Sequence, residues 1–341
     1  MYIISTYPAA VLFCIITMLC WGSWANTQKL AASTWRFELF YWDYVLGILL
    51  FALALAFTLG STGSGGRSFL ADIAQASSTN LGSGILGGII FNAANILLGA
   101  AIAIAGMAVA FPVGIGLALV IGVVVNYIAN PVGNKTLLAA GVVLIVIAIL
   151  LNAFAYRRMQ SVGKRAVESN SAGNTSAKGL ILALTAGVLM GFFYKYVAAA
   201  MFPNFNQPEP GKLSPYTAVV IFSIGILLSN TVFNTLLMKR PFVGPPVSYN
   251  RYFSGSVRNH GTGILGGSIW CLGMSFSIIA SGKAGPAISY GLGQGATIIA
   301  ALWGIFIWKE FRTAPKGTGA ILAIMLLFYL IGLVLLVDAG A

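Results

Sequence analysis

The stretch LGSGILGG, residues 81–88, sets Gly82, Gly84 and Gly87 in the spacing G-x-G-x-x-G, and the chain writes nearly the same phrase again as HGTGILGG at 260–267. A dinucleotide fingerprint needs a strand before it, a helix opening at it and an acidic residue about 20 positions on. After Gly82 no Asp or Glu occurs until Glu168, and the glycines run straight into IIFNAANILLGAAIAIAG (89–106), which reads as a membrane helix. The nucleotide reading fails, no cofactor is expected, and the repetition needs another explanation.

Composition supplies the setting. Apolar residues make up 58% of the 341 positions and charged residues only 8%, against about 25% charged in a globular domain. Such a chain cannot clothe itself in a polar surface and belongs in lipid. Ten stretches approach the roughly 20 apolar residues that a span requires: 8–28, 40–60, 83–104, 107–128, 136–156, 179–201, 215–237, 262–281, 285–307 and 317–337. The expected fold is all-α integral membrane, with no room for a soluble domain. The polar run ESNSAGNTSAKG (168–179) reads as a flexible tether.

The net charge of +12 could suggest a nucleic-acid partner, but its placement argues against one. Loops on one side of the membrane carry only Arg67, Lys135, Lys212 and Lys283, while those on the other side carry fourteen basic residues. The positive-inside rule then sets both termini outside and the loop after the fifth span in the cytoplasm of a plasma (inner) membrane protein. The first span lacks the preceding charge of a signal peptide. Cys14, Cys20 and Cys271 all fall within spans and read as small core residues, not as a disulfide or metal framework.

Within this frame the repeated phrase marks internal duplication. Gly84 aligns with Gly263 at an offset of 179, and AGMAVAFPVGIG (105–116) faces SGKAGPAISYGLG (281–293) at 176 to 177. LLAAGVVL (137–144) faces KGTGAILA (316–323) at 178, and Gly22 faces Gly191 at 169. The order of these matches gives two five-span repeats, 1–156 and 179–341, joined by a cytoplasmic linker over 157–178. Because five is odd, the copies enter from opposite faces, which is the architecture of ten transmembrane helices in two inverted five-helix repeats that open a shared site to each side in turn. Gly84 and Gly88, Gly263 and Gly267, and Gly291 and Gly295 form G-x-x-x-G pairs that let helices approach closely. Static packing is the plain reading of each pair, and a moving hinge is the alternative.

Polar groups inside spans face protein or a cavity, because lipid leaves them unpaired. Asn92 and Asn95 share a face of span 3, Trp21, Trp24 and Gln28 a stripe of span 1, and Tyr290 and Gln294 stand four apart in span 9. Aromatic faces and amides suit a small, flat, polar solute, with Trp270 of span 8 as a further stacking surface. The structural alternatives are interhelical hydrogen bonding by the amides and interfacial anchoring by the tryptophans. Lys195 lies roughly 9 Å from the end of span 6, where it either contributes to the site or snorkels outward. Asp43, about one turn inside span 2, either titrates in a proton-coupled cycle or anchors the helix near Arg36 and Glu38. His260, the single histidine, stands at the mouth of span 8, where a loop role is the simpler reading. Nothing resembles G-x-S-x-G, H-E-x-x-H or a Walker A lysine, so neither an enzyme nor a metal site is expected.

CWGSWANTQKL (20–30) followed by FELFYWDY (37–44) resembles the opening of the ureide permeases, in the drug/metabolite transporter superfamily. The resemblance continues through GGIIFNAANILLGAAIAIAG (87–106), YTAVVIFSIGILLSNTVFN (216–234) and GLGQGATIIAALWGIFIWKEFRTAPK (291–316). It implies a permease importing small neutral heterocycles such as allantoin, uracil or oxidised purines, with protons, and it singles out Trp24, Asp43, Asn95 and Gln294. Plant members carry a carboxylate in span 4 near the position of Phe111, which this chain lacks, and Glu310 marks only the end of span 9. Either proton coupling is then lost, or it falls to Asp43. Glucose/ribose and rhamnose porters share the scaffold, so a sugar is the second reading. A non-transporting membrane scaffold or receptor is the third.

Overall fold

A computed structural model describes residues 1–31, 34–105, 107–164 and 172–341. Helix α1 (Tyr7–Ser23) begins where the Thr6 side chain accepts the amide of Ala9 and Pro8 supplies a helix-ready φ. It tightens into a 3-10 segment over Trp24–Leu30. Then follow α2 (Phe37–Phe57), α3 (Phe69–Gln75), α4 (Ser78–Ala105), α5 (Met107–Ala129), α6 (Lys135–Lys164) and α7 (Ala172–Ala200). The remainder is α8 (Pro215–Lys239), α9 (Tyr249–Phe253), α10 (Val257–Ala284), α11 (Pro286–Gln294), α12 (Ala296–Leu302) and α13 (Thr318–Asp338). Among the described residues nine helical stretches are long and apolar enough to cross a membrane, and Val113–Ala129 in α5 is a shorter apolar helix. The fold is all-α and membrane-embedded, and exposed Leu12, Ile15, Leu19, Leu228, Val232, Leu327 and Val334 suit a lipid-facing surface.

Three details differ from expectation. The linker expected over 157–178 is helical at its described positions, since α6 runs on to Lys164 and α7 begins at Ala172. Arg157, Arg158, Met159 and Gln160 are good helix formers and simply prolong the span. Residues 165–171, which include part of the tether, and the side chain of Phe111 lie outside the described residues. The ninth span is not one helix. Gly285 (φ +78°) and Pro286 separate α11 from α10, Gly295 separates it from α12, and a π turn covers Trp303–Ile307. Short helices α3 and α9, too brief for a periodicity signal, occupy two of the loops.

Glycine sets the closest approaches. A Cβ added to Gly88 would lie 2.1 Å from the carbonyl oxygen of Phe222 on α8, and one on Gly225 2.3 Å from that of Ile85 on α4. The same contact recurs between α10 and α2, where a Cβ on Gly267 would lie 1.9 Å from the Tyr44 carbonyl oxygen and one on Gly47 2.2 Å from that of Ile264. Gly84 and Gly263 continue these seams, against Ile221 and Asp43 respectively. Both repeated phrases therefore bring two helix backbones together, and the obstacles are carbonyl groups, which cannot swing aside. Gly291 and Gly295 do not make a third seam: the helix is interrupted at Gly295, and their nearest neighbours are the side chains of Val123 and Leu333.

The larger packing follows the same plan. Helix α4 packs on α7 and α8, as α10 packs on α1 and α2, and α6 pairs with α13.

Candidate functional site

A cavity of about 160 Å³ lies between α1 with its 3-10 extension, α4, α5, α7, α10 and the broken α11–α12 segment. Trp21, Trp24, Phe91, Phe193 and Trp270 give its wall five aromatic rings. Trp21 and Trp270 stack with ring centroids 5.8 Å apart, and the Trp21 indole donates to the Trp270 carbonyl at 3.2 Å. Phe91 lies 4.4 Å from the Trp270 ring, and Trp24 lies 4.6 Å from the buried ring of Tyr44. These contacts fix the rings, so their surfaces are already in position for a flat ligand.

Two amides supply the cavity's polarity. Nδ2 of Asn95 donates to Oη of Tyr41 at 3.1 Å, Tyr41 donates to Oδ1 of Asn92 at 2.9 Å, and Asn92 donates to Oγ of Ser229 at 2.9 Å. The chain of bonds uses the nitrogen of Asn95 and leaves its oxygen with no hydrogen-bond partner among the described residues. The side-chain amide of Gln294 likewise has none among them, and both residues line the cavity. Thr297 contributes less, because its hydroxyl donates to the Gln294 carbonyl and accepts from Tyr329.

Of the residues singled out in the sequence, Trp21, Trp24, Asn95, Trp270 and Gln294 therefore converge on one cavity. Asn92 does not reach it. It is fully buried and joins α2, α4 and α8 through Tyr41 and Ser229. Tyr290 does not reach it either: its ring is fully buried over Gly122, and its hydroxyl donates to the carbonyls of Ala118 and Met190 at 3.2 and 3.1 Å. Both join helices, Asn92 in the way the alternative for the amides allowed and Tyr290 in a way that alternative did not cover. Lys195 lines a different cavity. Sequence reading missed Phe91, Met190 and Phe193, which are apolar residues inside apolar spans. It also missed Tyr41, whose role depends on two residues more than fifty positions away.

Asp43 sits outside the cavity. Its carboxylate accepts from Oη of Tyr252 at 2.7 Å and lies 2.9 Å from Nδ1 of His260. Arg36 is not its partner, being paired with Glu38. The Trp35 ring meets His260 edge-on at 5.2 Å, and Tyr252 does so at 4.9 Å. Burial, together with the hydrogen bond to Asp43, pushes the Tyr252 phenol well above its ordinary pKa, so it stays a donor at any physiological pH. His260 thus occupies the first turn of α10 and ties it to α2 and α9, where a loop role was expected. Glu310 joins three spans at the same end: it accepts from Tyr156 at 2.8 Å and pairs with Lys29 at 3.6 Å. No group of His, Cys, Asp and Glu capable of holding a metal ion occurs among the described residues.

Ureide permease 1 and ureide permease 4 of Arabidopsis thaliana are 22% and 23% identical to the chain, each covering 100% of it and 99% of the relative. A probable glucose uptake protein, GlcU, of Priestia megaterium is 26% identical over 65% of the chain and 67% of its own length. A solved crystal structure shares the fold at a TM-score of 0.60 and 16% identity, covering 97% of this chain and 99% of that one. The sequence model of the ureide permease family matches residues 40–171 and 159–339, which spans most of the molecule, and the chain belongs to that family.

Proposed function

We propose that the chain is a secondary transporter that carries a small, neutral, flat heterocycle of the ureide or nucleobase kind across the membrane by alternating access. Membership of a permease family supports transport rather than catalysis. The observation that carries the substrate reading is the cavity itself: fixed aromatic faces with the free amide oxygen of Asn95 and the free side-chain amide of Gln294. Its volume of about 160 Å³ is small beside the roughly 300–1,000 Å³ of drug-sized sites, which fits a solute of one or two rings. Stacking supplies contact area, and two amides suffice to orient a ring bearing N–H and C=O groups.

The similarity to a glucose uptake protein favours a sugar as the second reading. A hexose carries five hydroxyls that lose water on entry and each need a partner. The cavity has too few free polar groups for that, which supports the heterocycle. A thermal-shift panel of uracil, xanthine and allantoin against ribose, glucose and rhamnose separates the readings, since a ligand that binds the folded state raises its melting point. Protection by sugars alone would overturn the first.

Alternating access rests on two inverted halves, over 1–156 and 179–341. Support comes from the matched seams: Gly88 and Gly267 stand 179 apart in sequence, their counterparts Gly225 and Gly47 stand 178 apart, and each pair joins helices in the same relation. The excess of basic residues in one set of loops favours both termini outside. For coupling, Asp43 is the carboxylate placed to exchange a proton, and its contacts with His260 and Tyr252 mean that a change in its charge acts directly on the α2–α10 seam.

A further inference from the structure

A second cavity, of about 310 Å³, opens toward the 201–214 connection and shares no lining residue with the first. Lys195 from α7 and Lys212 from the connection both line it, and neither has an ion-pair partner among the described residues. Asn126 and Asn130 of α5 line it as well. Asn126 is 1% exposed, its Nδ2 donates to the Gly122 carbonyl at 2.7 Å, and its Oδ1 has no partner among the described residues. A buried acceptor left without a hydrogen bond is costly, so a ligand N–H that reaches it recovers that cost. Pro286, the first residue of α11, borders the same space, and the amino end of a helix favours negative charge.

A closed layer separates the two cavities. On α7, Met190 and Phe193 line the central cavity and Lys195 the second, with Tyr194 between them. On α10 and on the broken ninth span, Ser277 and Ser289–Tyr290 hold the corresponding places between Trp270 and Ser281, and between Pro286 and Gln294. These residues bond to one another. Tyr194 donates to the Ser277 carbonyl at 3.1 Å, Ser289 donates to the same carbonyl at 2.5 Å, and Tyr290 donates to Met190 as described above.

We propose that this second cavity is a separate binding site, for a small organic anion that bears a carboxylate and amide-type N–H groups. Two unpaired ammonium groups and a helix amino end select the carboxylate, and the asparagine oxygens take the N–H donors. The central cavity, with no charged residue among the described residues of its wall, takes the neutral solute instead. The inference goes beyond the transport reading and stands without it.

Hydantoin and its ring-opened acid, N-carbamoylglycine, make a matched pair of probes, one neutral and cyclic, the other an anion with ureido N–H groups. Binding of each to the purified full-length chain in lipid nanodiscs is measured by titration calorimetry. N-carbamoylglycine is expected to bind, to weaken at least tenfold in the Lys195→Gln/Lys212→Gln double variant, and to bind Asn95→Ala as it binds the parent. Both lysines reach solvent, so the double variant should keep its thermal midpoint, which checks folding independently. No binding of N-carbamoylglycine at millimolar concentration overturns the site, as does affinity within twofold of the parent in the double variant. An equal loss in Asn95→Ala places the anion in the central cavity and also overturns it. Failure of hydantoin alone to bind strikes the heterocycle reading and leaves this site standing.

Discussion

Asn95 donates to Tyr41 at 3.1 Å, and Tyr41 passes the polarity on to Asn92 at 2.9 Å, so a cavity residue on α4 is held by a phenol on α2. The relay fixes which end of the Asn95 amide is free. Tyr41→Phe removes the relay without removing the ring. Its expected effect is a loss of about 0.5–1.5 kcal/mol in substrate binding, or roughly 2- to 13-fold in affinity, with the transport rate at saturation little changed. Asn95→Ala and Gln294→Ala should each weaken uptake more, while the protein still runs as a folded species on size exclusion. Unchanged uptake in both alanine variants would show that the substrate lies elsewhere.

Tyr290→Phe separates a connector from a binding residue. The variant loses the one hydroxyl proton shared between the buried carbonyls of Ala118 and Met190, so its melting midpoint should fall by the equivalent of about 1–3 kcal/mol. Its affinity for substrate should remain that of the parent protein. A selective loss of affinity at constant stability would return Tyr290 to the site.

The glycine seams make a sharper stability prediction. Gly88→Ala and Gly267→Ala each drive a methyl group onto a carbonyl oxygen of the facing helix, where overpacking costs about 1–3 kcal/mol. Gly82→Ala belongs to the same repeated phrase but meets nothing within 4 Å. Helix propensity alone should therefore make that variant neutral or slightly more stable. Equal effects at all three positions, read from thermal unfolding in detergent, would refute the role assigned to the seams.

Coupling is tested by accumulation. A protonophore should lower the steady-state level of substrate in vesicles, and Asp43→Asn should abolish the response to the proton gradient while permitting exchange. Because the carboxylate bonds both Tyr252 and His260, Asp43→Ala should in addition loosen the α2–α10 contact, and the asparagine variant is the cleaner test. Accumulation indifferent to the gradient would mean facilitated diffusion or another ion.

Much of this was legible in the sequence, for reasons that can be stated residue by residue. Spans announce themselves through length and apolarity, and each of the ten expected stretches corresponds to helical structure, the ninth in broken form. The repeated GILGG phrase pointed to close helix contacts because only glycine permits them. Trp21, Trp24, Asn95, Trp270 and Gln294 stand out as polar or aromatic residues in otherwise apolar spans. What stayed hidden depends on partners distant in sequence. Asn92 and Asn95 are three apart on one helix, yet one is consumed in a bond to Ser229 and the other opens to the cavity. Spacing cannot tell them apart. His260 reads as a loop residue in the sequence because its partner, Asp43, 2.9 Å away, stands more than two hundred positions earlier. Phe91 and Phe193 gave no signal, since phenylalanine is ordinary in a span.

The central claim is that one chamber serves both sides of the membrane in turn. Cys14, Cys20 and Cys271 are buried and form no disulfide, so a reporter cysteine placed in the chamber wall as Ala300→Cys is read against the parent protein as background. A membrane-impermeant thiol reagent is then applied to oriented, sealed vesicles, from outside alone and from inside alone. Labelling from either side, slowed in both cases by bound substrate, is the predicted result. Labelling from one side only, whatever the substrate, would contradict the account.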